Sequence, residues 1–168
     1  DALLRHADQA MYAAKQAGRN RFHQFDAAQE RALQTLREQG RYIRDALADR
    51  QFVLYLQPKV DMRTGTVVGA EALSRWQHPQ RGIVSPGEFL PLLEGTELEI
   101  GFGEWVVEAA LVILEQLQHR SMPLPVSVNI AAQHLQHPGF ADWMAQCLAR
   151  PPSVPPHLLE IAITARAA

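Results

Sequence analysis

Apolar positions recur at helical spacing near the start of the chain. Residues 2–17 predict a helix that Gly18 would end, and the alternation over 21–25 predicts a short strand. A second amphipathic pattern predicts a helix over 27–49. A helix and a strand cannot bury a core of their own, so residues 1–26 look like the end of a preceding domain.

Strand and helix patterns alternate after residue 51. Residues 52–60 and 66–76 predict two strands, and the turn chemistry between them, with Gly65 free to take positive φ, predicts a hairpin. The elements predicted further along are a short helix opened by Pro86, a long helix over 104–120, a strand over 125–130, a helix over 140–148 and a strand over 158–163. This alternation predicts a parallel sheet with right-handed crossovers.

Composition and charge narrow the class of protein. The chain has 168 residues, 47% of them hydrophobic and 20% charged, as in globular domains. Sixteen basic against 18 acidic residues give a net charge of −2, which argues against a partner that is polymeric nucleic acid. The longest apolar stretch, 105–117, is interrupted by two glutamates and is shorter than the ~20 residues of a membrane span.

The single cysteine, Cys147, excludes an internal disulfide and predicts a cytoplasmic location. It lies in an apolar helical pattern, which favours burial over a catalytic thiol. His134 and His137 are three residues apart without a third ligand nearby, so a zinc site is disfavoured. His78, before a proline, indicates turn chemistry.

Polar residues at the ends of the predicted strands are the candidates for chemistry. Glu71 lies inside an apolar run, where a carboxylate is costly without a partner or a metal. Asn129 ends the apolar run 126–128 within the strand over 125–130, and oxygen ligands of these two types suit Mg²⁺ or Mn²⁺ better than zinc. The alternative is a structural ion pair between Glu71 and either Arg75 or Lys59. The residues alone therefore leave open whether Glu71 binds a metal or forms an ion pair.

Four short motifs resemble those of a known family and occur in the same order as in that family. The string from Gly69 to Pro79, with Glu-Ala-Leu at 71–73, resembles the signature of EAL domains, the phosphodiesterases of the bacterial messenger cyclic di-GMP. The segments 56–61, 85–94 and 127–130 also look like motifs of that family. Residues 1–26 are similar to the closing helix and strand of a GGDEF domain, the family that makes the same messenger.

The resemblance implies a fold and a division of the chain. The implied fold is α/β, a partial (β/α)8 TIM-like barrel with about its first four strands, preceded by a helix and strand of another domain. Residues 1–26 would end a GGDEF domain, 27–50 would form a linking helix and 51–168 the N-terminal half of an EAL domain. A complete barrel typically needs ~250 residues, so we expect an open strand edge that a homodimer could cover.

The resemblance also implies an activity and its residues. EAL domains cleave cyclic di-GMP to linear pGpG with Mg²⁺ or Mn²⁺, which activates water for in-line attack. By their positions in the motifs, Glu71 and Asn129 would be metal ligands, and the residues that touch the dinucleotide would be Gln57, Leu73, Arg75 and, by a weaker match, Glu94.

One strand departs from the family pattern. Residues 159–165 match a strand that reads Leu-Glu-Leu-Glu-Ile-Thr-Glu, and its metal-binding glutamate falls on Ala162. Glu160, on the same strand face, is a weak substitute, and the paired aspartates and catalytic lysine of the family have no counterpart in these residues. We therefore expect a bacterial signalling protein whose parent hydrolyses cyclic di-GMP, with this chain inactive alone. The alternative is a degenerate EAL domain that binds the messenger as a receptor.

Overall fold

The structure is a computed structural model that describes residue 38, residues 40–151 and residues 153–164. The chain divides into two compact units, 1–39 and 40–168, and the second contains almost all of the described residues. The helix predicted over 2–17, the strand over 21–25 and the assignment of 1–26 to a GGDEF domain lie outside the described residues.

The described elements follow the predicted order closely. Helix α1 covers residues 40–48; it is followed by β1 (Phe52–Val60), β2 (Val67–His78), β3 (Gly82–Val84), α2 (Pro86–Leu93), α3 (Glu97–His119), β4 (Val126–Ala131), α4 (Ala132–Leu135), α5 (Phe140–Ala149), a 3-10 turn (Pro156–Leu158) and β5 (Leu159–Thr164). Among the described helices, none combines the length and the apolar run that a bilayer crossing requires.

The fold is α/β, and the described strands form one five-stranded sheet that does not close into a barrel. Its strand order is β1-β2-β4-β5. The predicted hairpin is confirmed, because β1 pairs antiparallel with β2 and Gly65 has φ of 71° in the turn. The predicted parallel pairing is also confirmed for β2 with β4 and for β4 with β5. Strand β3, which pairs antiparallel with the end of β2, was not predicted.

The two faces of the sheet differ in chemistry. Val126, Val128 and Ile130 are fully buried, in the core that the helices share with the sheet. Because side chains alternate along a strand, Ser127 and Asn129 point to the opposite face. The register pairs Gln57 with Glu71 and Glu71 with Ser127, so the polar residues of neighbouring strands collect there. We call this the concave face.

The predicted start of the long helix, at residue 104, was wrong. Helix α3 begins at Glu97, after Thr96, whose hydroxyl oxygen accepts a hydrogen bond from the Leu98 backbone N–H at 3.3 Å. Gly101 and Gly103, which have low helix propensity, lie in its first two turns. Gly103 is needed there, because a Cβ at this position would lie 2.4 Å from Nδ1 of the buried His134.

Candidate functional site

Glu71 and Asn129 meet on the concave face. Glu71 is the register partner of Ser127, and Asn129 lies two residues further along β4, with its side chain on the same face. The Asn129 amide Nδ2 donates a hydrogen bond to Glu71 Oε1 at 2.8 Å. The structure thus brings together the two residues that the strand-end pattern singled out.

The structural ion pair that would have explained Glu71 does not form. Lys59 pairs instead with Glu160, with Nζ 2.8 Å from Oε2. Arg75 Nη1 donates to the Ser74 backbone carbonyl at 2.8 Å. Among the described residues, Glu71 has no basic partner in an ion pair. Its carboxylate is held by a neutral amide, which leaves its negative charge uncompensated.

The Lys59–Glu160 pair crosses the concave face beneath the Glu71–Asn129 contact. Strand β1, which carries Lys59, and strand β5, which carries Glu160, are at opposite ends of the strand order. Gly69 lies beside Lys59, and a Cβ there would be at ordinary contact distance from Lys59 Cδ (3.8 Å) but close to the Pro125 carbonyl oxygen of the neighbouring strand segment (3.0 Å). Glu160, the candidate substitute ligand, is therefore engaged by a cationic side chain.

Ala162 faces the contact from the next strand. It is the register partner of Asn129, so its methyl group occupies the position from which a longer carboxylate side chain would reach Glu71 and Asn129. Among the described residues, no three His, Cys, Asp or Glu side chains converge as a metal-binding group. The contact thus offers a hard cation the side-chain oxygens of Glu71 and Asn129, and on β5 Ala162 provides no oxygen while Glu160 is paired with Lys59.

Arg75 and Gln57 flank these residues on the same face. Gln57 is exposed and pairs in register with Glu71. The Arg75 guanidinium carbon lies 5.7 Å from the centroid of the Tyr55 ring. Tyr55 did not stand out in the sequence, although its spacing of two from Gln57 already placed it on this face of β1.

A cavity of about 160 Å³ opens beside the Glu71–Asn129 contact. Its walls include Leu73, Asn129 and Glu94, three residues that the family motifs singled out, together with Phe102 and Gly103 of α3. The cavity connects the end of β2 to α2 and α3. Glu94 and Leu73, which lie far apart in sequence, thus border one space.

The remaining candidates from the sequence have structural roles. Cys147 is buried, and burial raises the pKa of its thiol, which disfavours a reactive thiolate. His134 is also buried, and burial lowers the pKa of its imidazole. The ring nitrogen of His78 accepts from the backbone N–H groups of Gln80 and Arg81, as turn chemistry predicts.

The fold and this arrangement correspond to one class of protein. Residues 41–168 match the model of the family described as "EAL domain". The chain belongs to the EAL domain family. The match includes most of α1 and all of the strands and helices that follow it.

Two curated relatives and one solved structure illustrate the similarity. The chain is 39% identical over 158 residues to the bifunctional diguanylate cyclase/cyclic di-GMP phosphodiesterase MucR of Pseudomonas aeruginosa, covering 94% of the chain and 23% of that protein. It is 36% identical over 134 residues to the cyclic di-GMP phosphodiesterase PdeR of Escherichia coli, covering 80% and 20%. The structure of the PaMucR phosphodiesterase in complex with c-di-GMP superposes with a TM-score of 0.68 at 38% identity, covering 74% of this chain and 50% of that one. The chain therefore spans about a quarter or less of the length of these curated relatives.

Proposed function

We propose that the protein containing this chain binds cyclic di-GMP on the concave face and hydrolyses it to linear pGpG. The observation that carries the proposal is the 2.8 Å contact between Asn129 and Glu71, on neighbouring parallel strands of an EAL fold, with Arg75 on the same face. The phosphodiesterase names of the two relatives support it. The implied setting is bacterial signalling in the cytoplasm.

The residues of this chain would have different roles in binding the nucleotide, as their chemistry indicates. Arg75 suits a ligand phosphate, because its planar fork donates parallel hydrogen bonds to two oxygens. The Asn129 amide holds the Glu71 carboxylate in one orientation through its N–H donor. Gln57, Leu73 and Glu94 would contact the rest of the dinucleotide, the last two from the walls of the cavity.

A divalent cation, Mg²⁺ or Mn²⁺, is the cofactor that we propose. Glu71 and the Asn129 side-chain oxygen would hold it, since hard cations prefer such ligands. When bound, such a cation would lower the pKa of a water molecule and offset charge on the phosphoryl oxygens. These two ligands alone do not make a complete coordination shell, because Ala162 provides no oxygen and Glu160 is paired with Lys59.

A second candidate function is a receptor that binds cyclic di-GMP without cleaving it. The observation that favours it is Ala162, whose methyl group faces Asn129 where the family strand has a carboxylate. Loss of one ligand weakens a metal site but leaves Arg75, Gln57 and the cavity in place for the nucleotide. The two functions therefore share a binding site and differ in the chemistry that follows binding.

Hydrolysis by the natural full-length protein tests the first proposal. We expect conversion of cyclic di-GMP to pGpG with Mg²⁺ or Mn²⁺, followed by chromatography, and its loss in Glu71→Gln. Glu108→Gln is the matched control, because Glu108 pairs with Arg150 on the outer helices. No product at any enzyme concentration would refute the phosphodiesterase proposal. The 168-residue chain alone is expected to give no pGpG, and detectable product from it would contradict that expectation.

Titration calorimetry separates the two functions. A receptor would bind cyclic di-GMP with an affinity that a chelator leaves unchanged, and no turnover would follow. A phosphodiesterase would turn the nucleotide over once the cation is restored. Absence of any binding would reject both proposals, because both require the concave face to recognise the dinucleotide.

A further inference from the structure

We propose that Tyr55 is a positioning residue that holds the Arg75 guanidinium over the concave face, ready for a phosphate of the ligand. The inference rests on the proposed function, because it assumes that Arg75 addresses a phosphodiester. It adds a residue that lies outside the motifs discussed above and that acts through Arg75.

The strand register brings the two side chains together. Tyr55 is the partner of Leu73, and Val53 is the partner of Arg75, so Tyr55 and Arg75 are diagonal neighbours on one face of the β1–β2 pair. Diagonal neighbours are within reach of each other when one is aromatic and the other long. The distance of 5.7 Å from the guanidinium carbon to the ring centroid is within the ~6 Å range of cation–π attraction.

A hydrogen bond to the backbone is the second contact that positions Arg75. Its Nη1 donates to the Ser74 carbonyl at 2.8 Å, so one of the guanidinium's five N–H donors is used by the backbone. In the described part of the chain no carboxylate forms an ion pair with Arg75. The Tyr55 ring and the Ser74 carbonyl therefore hold the Arg75 guanidinium in place. Its positive charge is then available to an anion from outside the chain.

Tyr55 lies on the concave face and is not part of the hydrophobic core of the described sheet. Its relative accessibility is 49%, whereas the aromatic residues of the core, such as Phe52 and Trp76, are 4% and 3% exposed. Phe52 and Trp76 belong to the core cluster, whereas Tyr55 does not. Among the described residues, the ring contact of Tyr55 is with the Arg75 guanidinium, which is the group that we infer it positions.

The inference predicts which substitutions matter. Tyr55→Phe keeps the aromatic ring and its attraction for a cation, whereas Tyr55→Leu keeps an apolar side chain without it. We therefore expect Tyr55→Phe to bind cyclic di-GMP as the unchanged protein does. Tyr55→Leu should bind it about two- to fivefold more weakly, the range that an exposed cation–π contact implies.

The test is calorimetry of the full-length protein with cyclic di-GMP in the presence of a chelator. In an Arg75→Gln background, Tyr55→Leu should cause no further loss, because the ring then has no cation to hold. Tyr42→Leu is the matched control, since Tyr42 contacts His78 at the end of β2, away from the contact described here. Equal losses from Tyr55→Leu in both backgrounds would overturn the inference, since Tyr55 would then act independently of Arg75.

A measurement without ligand separates this inference from the proposed function. In ¹⁵N spectra of the arginine side chains, rotation of the Arg75 guanidinium should be slow in the unchanged protein and in Tyr55→Phe, and fast in Tyr55→Leu. If cyclic di-GMP does not bind but this difference is present, the proposed function fails and Tyr55 still positions Arg75. If the rotation is equally fast in all three proteins, Tyr55 does not hold the guanidinium and the inference fails.

Discussion

Lys59 and Glu160, 101 residues apart in sequence, form an ion pair with Nζ 2.8 Å from Oε2. Strands β2 and β4 lie between their strands in the sheet, so the two side chains reach each other across two intervening strands. The contact has two consequences. It ties the two edges of the partial sheet together, and it removes Glu160 from the carboxylates available to a cation.

The Lys59–Glu160 pair should contribute little to stability and should respond to salt. The two side chains are 42% and 50% exposed, and exposed pairs contribute about 0–1 kcal/mol. A double-mutant cycle with Lys59→Met and Glu160→Gln, read from urea denaturation, should give a coupling of about 0.5 kcal/mol that about 1 M NaCl abolishes. A coupling that survives this salt concentration would show that the contact is not mainly electrostatic.

Replacing the alanine that faces Asn129 should strengthen cation binding. In Ala162→Glu, a carboxylate extends from the register partner of Asn129 toward Glu71. Because an added charged oxygen ligand raises the affinity of a hard-cation site, Mn²⁺ should bind about tenfold more tightly or better. The signal of free Mn²⁺ in electron paramagnetic resonance measures this without any turnover. Ala162→Gln is the control of similar size, and equal Mn²⁺ affinity in the two variants would contradict the proposed geometry.

Two glycines of α3 should respond oppositely to the same substitution. A Cβ added at Gly101 would meet no neighbouring atom within 4 Å, so Gly101→Ala should stabilise the fold by up to about 1 kcal/mol through helix propensity. At Gly103 a Cβ would lie 2.4 Å from His134 Nδ1, so Gly103→Ala should destabilise the fold by about 1–3 kcal/mol. Urea denaturation measures both. Stabilisation by Gly103→Ala would contradict this expectation, because it would show that the His134 ring moves away from α3 at little cost.

His134 should make the fold less stable as the pH falls. Burial lowers the pKa of its imidazole in the folded protein below the unfolded value of about 6.5. The unfolded chain therefore takes up the proton first, and stability falls as the pH drops below about 6.5 toward the folded pKa. The carboxylates of Glu104 and Glu99 oppose this effect, and His137 adds to it.

Denaturation of the unchanged protein and of His134→Gln, about one pH unit above and one below the unfolded pKa of histidine, tests this effect. The variant lacks the ring that titrates, so its stability should change less between the two pH values. His119→Gln is the matched control, because His119 is exposed at the end of α3. If His134→Gln lost as much stability as the unchanged protein on acidification, other groups would be responsible.

The sequence alone determined the order of most elements, although it missed β3 and the start of α3. The predicted parallel order put Glu71 and Asn129, both polar residues of predicted strands, at one edge of the sheet, and the register that brings them into contact came from the structure. The elements are predictable because backbone geometry sets side-chain direction over a few residues. The roles of these residues as ligands, like those of Gln57 and Arg75 as nucleotide contacts, stay predictions.

Only the tertiary structure decided the contacts between distant segments. The approach of Lys59 to Glu160 depends on how four strands assemble side by side, and the need for a glycine at position 103 depends on where α4 places the His134 ring. Likewise, the hold of Tyr55 on Arg75 follows from the register of the hairpin. No local sequence pattern encodes these distances. They depend on how strands and helices pack against each other, whereas a local pattern reports only the hydrophobic periodicity of one element.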